Sequence, residues 1–435
     1  MERIRSTEVG SHVGERVRVA GWLHSLRRLG SINFLILRDG WGLLQIVTED
    51  EDGLEPLVST HAGLESVIAV EGLAVSASQA PGGIELHAPR IEVISAVTET
   101  PPLVLSKRQL KATLATQLDH AVVANRHPTR RAIFRLGAVA MEAFRGCLLA
   151  QGFTEIQSPK IVAAATESGA NVFALDYFGR PAYLSQSPQL YKQIMVGVFE
   201  RVFEVGPAFR AEPHDTARHL NEFVSLDVEM GFIEDHFTVM PVLQAVMLTV
   251  CSAWREQCGA ELAELEVRLP VMPEQIPSLH FAEAKELIYE RHGVDGRGEP
   301  DLSPQDERWL GEWAWCEYES DFLFVTGYPT RKRAFYTAPD PLRPGYSNAF
   351  DLLFRGMELV SGGQRLHRYE DYLAVLNERE LPAEPFADYL EAFRYGMPPH
   401  GGFAIGLERL LEQLTGIQSI KLAALFPRDL HRLTP

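Results

Sequence analysis

Between residues 16 and 95 five runs of strand-like sequence follow one another: RVRVAGWLHSL, INFLILRD, GLLQIVTE, SVIAVEGLAVSA and GIELHAPRIEVI. Gly, Asp or Pro punctuates most of the gaps, as turns between strands require. Five strands in so short a stretch suit a small closed barrel, and the oligonucleotide-binding barrel is the leading candidate. From TETPPLVLS onward the sequence turns polar and loses strand periodicity, as a hinge with a short helix would. The chain therefore divides into a barrel over 1–100, a hinge over 101–130 and a larger domain over 131–435.

The larger domain mixes both periodicities. RRAIFRLGAVAMEAFRGCLLAQGF places Ile133, Leu136, Ala140, Phe144 and Leu148 at helical spacing, and Gly152 supplies the stop. Beyond Pro159, strand-like runs (AYLSQ, RVFEVGPAF, FVSLDVEMGF, DFLFVTGYP, SNAFDLLFRGMELVSGG) alternate with helical stretches such as HFTVMPVLQAVMLTVCSAWREQ. Strands dominate the middle and helices cover them, so the expected class is α+β, an antiparallel sheet flanked by helices. There is no GxGxxG and no Walker-type GxxxxGK[ST], so any nucleotide must be held by another device. One stretch stands out for its charge. FRAEPHDTARHLNEF, residues 209–223, reads as a hairpin crossing a sheet, and charges at the ends of buried strands commonly hold a ligand.

Composition narrows the class. Hydrophobic residues at 46% and charged residues at 23%, with no low-complexity tract, are those of a globular protein, and no membrane segment is expected. The charged start MERIRSTEVGSHVGERVRV lacks the apolar core of a signal peptide, which predicts a cytoplasmic protein. Cys147, Cys251, Cys258 and Cys316 form no CxxC pair, so free thiols are expected. The net charge of −17 argues against a nucleic-acid partner only on average. Residues 1–130 are close to charge balance, and Arg16, Arg18, Arg27, Arg28 and Arg38 are expected to form a basic face there.

Three segments carry a family resemblance. GFTEIQSPKIV with the helix before it (134–162), VFEVGPAFRAEPHDTARHLNEFVSLDVEM (202–230) and GGFAIGLERL (401–410) resemble, in the required order, the three signatures of class II aminoacyl-tRNA synthetases. The chain is most similar to the archaeal-type aspartyl-tRNA synthetase within the aspartate, asparagine and lysine subgroup. The resemblance implies ATP and Mg²⁺ as partners in adenylate formation, a homodimer with Pro159 at its interface, L-aspartate as substrate and tRNA(Asp) as acceptor. It places Arg210 between the amino-acid carboxylate and the α-phosphate, and Arg409 at the γ-phosphate, as the catalytic arginines. Fixed positive charge is what two repelling anions need. Glu212 would accept from the adenine amino group, Arg218, His219 and Leu220 would close over ATP, and Ala211, Gly406, Leu407 and Glu408 would complete the nucleotide site. Gly406 would leave room for adenine, and Pro213 to Ala217 would be free to meet the tRNA acceptor end. Glu358 and Ser361 would ligate Mg²⁺.

For the amino acid, the resemblance assigns Gln189 and Lys192 of SQSPQLYKQ, Arg365 of SGGQR, Glu167 of a closing loop with Gly169, and Ser187, Asp227 and Ser361. Two enclosed cations favour aspartate over asparagine, because an amide cannot neutralise them. In the barrel, Phe34, Gln45 and Glu85 match the stacking aromatic and base-reading groups for the anticodon, although Phe34 is also compatible with a place in the barrel core. His24 in GWLHSL and Pro81 in QAPGGIEL resemble the relaxed members of the family, which also charge tRNA(Asn), and His24 is equally compatible with a plain surface histidine. Aspartate on tRNA(Asn) would need an amidotransferase to become asparagine. Two alternatives remain: a strictly discriminating enzyme, and a catalytically inactive synthetase-like RNA-binding protein.

Overall fold

A computed structural model describes residues 1–49, 51–163 and 172–435. The chain forms two compact units, Met1–His127 and Pro128–Pro435. In the first, strands β1 (Arg16–Leu29), β2 (Ile32–Arg38), β3 (Leu43–Thr48), β4 (Val67–Ser76) and β5 (Ile84–Ser95) close into a barrel in the order β1-β2-β3-β5-β4. All neighbours are antiparallel except β3 and β5. Alternate residues such as Val17, Val19, Leu35, Leu37, Leu44 and Ile46 turn inward and fill it, so the two-residue period sets the register. Phe34 and Ile36 lie on the other face of β2, half-buried.

The expected basic face is only partly there. Arg38 is buried and donates two hydrogen bonds to Glu65, at 2.9 and 2.8 Å, while Arg18 pairs with Glu71 and Glu92. Arg27 and Arg28 remain exposed at the end of β1. A strand arginine beside a carboxylate looks the same in sequence whether it faces water or the interior, and only closure of the barrel decides. The stretch after the barrel forms short helices, Leu114–Asp119 and Ala121–Ala124, and buries Leu103, Leu105 and Ala124 together. Arg126 reaches Glu65 at 3.3 Å.

The second unit is built on an eight-stranded sheet. Its strands are β6 (Thr154–Glu155), β10 (Arg201–Phe209), β11 (Glu222–Gly231), β12 (Ser278–His280), β13 (Phe322–Thr326), β14 (Ala349–Phe354), β15 (Met357–Gln364) and β16 (His400–Gly406). A separate small sheet holds β7 (Ile161–Val162), β8 (Ala174–Tyr177) and β9 (Arg180–Leu184). The large sheet runs β12-β13-β14-β15-β16-β11-β10-β6, antiparallel except for the parallel pairs at its two edges. This is the α+β arrangement that the alternating runs predicted. Helices Pro128–Ala150 and Met240–Gln257 pack on it, and Trp254 Nε1 donates to Leu136 O at 2.9 Å between them.

The segment His236–Gln257 is long and apolar enough to cross a membrane by length and composition. Val242, Leu243, Val246, Met247, Val250 and Trp254 are buried in the core against the sheet, so the apolarity is that of a central helix. The helices Phe281–His292 and Pro304–Tyr318 form a second core with β13 around Phe281, Leu310 and Val325.

Candidate active site

Strand register brings the polar residues together. Asp351 of β14 lies opposite Ser361 of β15, Ser361 opposite Ala404 of β16, and Ala404 opposite Asp227 of β11. One row across four strands thus carries three polar side chains, since directly paired residues share a face. Above the row opens a cleft of about 400 Å³. The hairpin of β10 and β11 contributes Arg210, Glu212, Arg218, His219, Leu220, Phe223 and Ser225; β15 contributes Glu358 and Ser361, with Arg365 directly after it; Gly406, Glu408 and Arg409 close one end and Gln189 and Lys192 the other. Most of the residues singled out in the second and third signature segments therefore share one cavity.

At the hairpin end, Arg210 N donates to Asn221 O at 2.9 Å, which keeps the two strands paired past Phe209, and the Arg210 guanidinium lies 5.6 Å from the Phe223 ring centroid. Glu212 N donates to Arg210 O at 2.8 Å. Thr216 Oγ1 and His219 Nδ1 are 2.6 Å apart. The tip itself is not free. Asp215 is paired with Lys421 at 2.5 Å, and Ala217 O accepts from Ile420 N at 2.8 Å. A Cβ on Gly406 would meet nothing nearer than the Arg409 Cβ at 3.7 Å, so the glycine leaves open space beside the arginine. Arg409 Nη1 donates to Glu358 O at 3.3 Å.

Three nucleotide-site assignments take a different form from that expected. Leu407 points into the core, so only its backbone can face a ligand, and Ala211 does not line the cleft. Glu408 accepts from Val224 N at 3.1 and 3.0 Å and thereby ties helix Leu407–Thr415 to β11. Burial pushes its carboxyl up to about 7.

At the other end Lys192, 1% exposed, is held between Asp227 at 3.0 Å and Glu229 at 3.4 Å. Arg365 Nε lies 2.9 Å from Glu229, which is fully buried. Burial alone would raise the Glu229 carboxyl; Arg365 and Lys192 outweigh it and hold it below the usual range. The expected pair of enclosed, unpaired cations is therefore corrected: two cations face two anions. Ser225 donates to Asp227 on the same strand. Ser187 is buried beside the cleft and accepts from Gln189 N at 3.3 Å. Gln189 Nε2 donates to Gln193 Oε1 at 2.9 Å, and Gln193 Nε2 reaches His400 Nε2 at 2.9 Å. Burial pushes His400 down to about 4, so its neutral ring accepts that bond. Glu167 and Gly169 lie outside the described residues.

Sequence reasoning overlooked Glu229, Asp351, Arg333 and Gln193. Glu229 was legible, because Ser225, Asp227 and Glu229 alternate on one strand face in VSLDVEM. Asp351 and Arg333 become neighbours only through sheet pairing. Arg333 donates to Asp351 at 2.7 Å and to Ser361 Oγ at 2.9 Å, while Asp351 Oδ1 is buried without a hydrogen-bond partner. The Asp351 charge, together with burial, pushes Glu358 up to about 7.

On the barrel, Gln45 and Glu85 stand side by side on paired strands, with Gln45 Nε2 donating to Glu85 Oε2 at 2.9 Å. Phe34 pairs in register with the exposed Arg27 and with the buried Val47. It is absent from the barrel core, so the outward placement holds. His24 is not a surface histidine. It occupies the irregularity between Leu23 and Ser25 in β1 and is buried 3.4 Å from Arg38 Nη1 and 3.9 Å from Glu65. Pro81 opens the tight turn Pro81–Gly83, where Gly82 and Gly83 adopt positive φ.

An antiparallel sheet whose signature arginines converge on one cleft, joined to an oligonucleotide-type barrel, is the frame of a class II aminoacyl-tRNA synthetase. The family "tRNA synthetases class II (D, K and N)" matches residues 113–430, the family "OB-fold nucleic acid binding domain" matches residues 17–94, and the chain belongs to the former, with the latter as its barrel. It is 47% identical to the aspartate–tRNA(Asp/Asn) ligase of Thermus thermophilus, with 100% of both chains covered. It is 46% identical to the ligase of the same name from Deinococcus radiodurans, covering 100% of this chain and 99% of that one. Among solved structures, the asparaginyl-tRNA synthetase of Pyrococcus horikoshii complexed with asparaginyl-adenylate is similar with TM-score 0.92 and 33% identity, both chains fully covered. The aspartyl-tRNA synthetase of Entamoeba histolytica is similar with TM-score 0.87 and 29% identity, covering 100% of this chain and 93% of that one.

Proposed function

We propose that this chain activates L-aspartate with ATP and transfers it to tRNA(Asp) and tRNA(Asn). The observation that carries the reading is the placement of Arg210, Arg409, Lys192 and Arg365 around one cleft. In the first step an aspartate α-carboxylate oxygen attacks the α-phosphorus, the bond to the β-phosphate oxygen breaks and pyrophosphate leaves. Arg210 bridges the two reacting anions with its planar fork, and Arg409 steadies the departing phosphates. Glu212 accepts from the adenine amino group, and Arg218 and His219 cover the nucleotide. In the second step the terminal ribose hydroxyl of tRNA attacks the carbonyl and AMP leaves.

The buried quartet accounts for substrate choice. The aspartate ammonium pairs with Asp227, which releases Lys192 toward the substrate side-chain carboxylate beside Arg365. That exchange adds one positive and one negative charge to a balanced site. Asparagine adds the ammonium alone and leaves a buried excess charge, which costs several kcal/mol.

Glu358 and Ser361 fit Mg²⁺, and Asp351, with its partnerless oxygen, adds a third oxygen donor. A hard cation held by so few side chains takes its remaining ligands from phosphates and water. Mg²⁺ there would neutralise charge on the phosphates.

Phe34 stacks on an anticodon base while Gln45 and Glu85 read its edge. His24, buried rather than exposed, affects the reading of the first anticodon base by shaping β1, and Pro81 by fixing its turn without a donor. Exposed Leu149, Ile161, Val198, Phe199 and Phe232, on elements near the short edge strand β6 and Pro159, support a homodimer. An amidotransferase would consume the aspartyl-tRNA(Asn). Aspartate-dependent ATP–pyrophosphate exchange tests activation, and Arg210→Ala should abolish it while tRNA binding persists; normal exchange by that variant refutes the role. Charging purified tRNA(Asn) transcript tests the relaxed specificity, and no incorporated aspartate would favour a discriminating enzyme.

A further inference from the structure

The hairpin tip that covers the nucleotide end of the cleft is fastened to the C-terminal segment on both sides of Arg218 and His219. Ahead of them, Lys421 Nζ lies 2.5 Å from Asp215 Oδ1 and 2.6 Å from Asp429 Oδ2. Ile420 N donates to Ala217 O at 2.8 Å. After them, Asn221 N donates to Arg428 O at 2.8 Å. Ile420 also packs with Leu220 and lines the cleft itself. Lys421 is 7% exposed, so its charge is largely withdrawn from water and needs both carboxylates. Asp429 is held in turn by the backbone N–H groups of His431 and Arg432 at 2.9 and 2.8 Å. The tail is thus a fixed base, and Asp215 is the one carboxylate of the three charges that belongs to the tip.

We infer that Lys421 is a positioning residue for ATP: by joining Asp215 to Asp429 it holds the tip so that Arg218 and His219 face the nucleotide. The inference rests on the reading that this end of the cleft takes ATP. A tip released from Lys421 would have to be ordered by the nucleotide itself, and that cost falls on nucleotide binding. The aspartate end, held by helix Gln189–Phe199 and β15, touches neither Lys421 nor Asp215. A role limited to stability would lower the melting temperature and leave the two Michaelis constants in their original ratio.

The discriminating variant is Asp215→Asn in the full chain, because it keeps the Lys421–Asp429 pair and removes only the charge on the tip. The KM for ATP in pyrophosphate exchange should rise about tenfold, the size of one charge-assisted hydrogen bond. The KM for aspartate should hold, whatever melting temperature is lost with one of the two carboxylates around Lys421. Trypsin should cut faster after Arg218 in the ligand-free protein. Lys421→Met should move the ATP constant and the cleavage in the same direction, and Lys421→Arg should restore both. Parental cleavage and a parental KM for ATP in Asp215→Asn would overturn the inference. The proteolysis reads the tip with no nucleotide present, so it tests the clamp even if the parent protein fails to exchange pyrophosphate, an outcome that would count against the ATP reading instead.

Discussion

Replacing Glu229 with glutamine keeps the shape of the side chain and removes one of the two buried anions that balance Lys192 and Arg365. Glu229 is fully buried, 2.9 Å from Arg365 Nε and 3.4 Å from Lys192 Nζ. Removing one partner of a buried ion pair costs about 3–5 kcal/mol, because the remaining charge can neither reach water nor find another counter-ion. For a unit of this size each kcal/mol moves the melting temperature by about 2 °C, so a fall of about 6–10 °C is expected. Aspartate should then restore more stability in Glu229→Gln than in the parent, since its side-chain carboxylate supplies the missing negative charge. Thermal unfolding followed by near-ultraviolet circular dichroism, with and without saturating aspartate, gives both numbers. A fall of less than about 2 °C, together with an equal gain from aspartate in both proteins, would refute the charge-balance argument.

Two further outcomes follow from the barrel. Phe34→Ala should weaken tRNA binding by about 1–3 kcal/mol, the worth of one stacked base, without changing aspartate-dependent pyrophosphate exchange; a filter-binding titration checks it. Burial would raise the Glu65 carboxyl, but the contacts with His24 and Arg38 hold it down to about 2, against an ordinary value of 4.5. A depressed folded pKa gives stability that is present above the unfolded value and lost as pH falls through the folded one, so about 3 kcal/mol should disappear between about pH 5 and pH 2. Glu65→Gln should flatten that limb of a urea-unfolding series.

How much of this was legible in advance depends on how far each feature reaches along the chain. The five barrel strands, the helix Pro128–Ala150 and the alternation of strands and helices are local patterns, and they read correctly because burial on one face imposes a period of two or of 3.6 residues. The signature segments gave most of the cleft for the same reason: Arg210, Glu212, Arg218 and His219 lie within one hairpin, and Gly406 and Arg409 at one strand-to-helix junction. Arg38 misled because sequence cannot tell a strand arginine that faces water from one that Glu65 holds inside.

The chain's own pattern therefore determined the two kinds of domain, the order of the elements and the residue types available for handling anions. Tertiary structure decided the charge state of the site. Lys192 and Arg365 are 173 positions apart in sequence, and their counter-ions on β11 meet them only when β15, β16 and β11 pair in register. The same holds for Asp351 against Ser361 and for Lys421 against Asp215. An ion pair between distant segments leaves no periodic trace, because its geometry is set by which strands become neighbours and by how completely folding removes the pair from water.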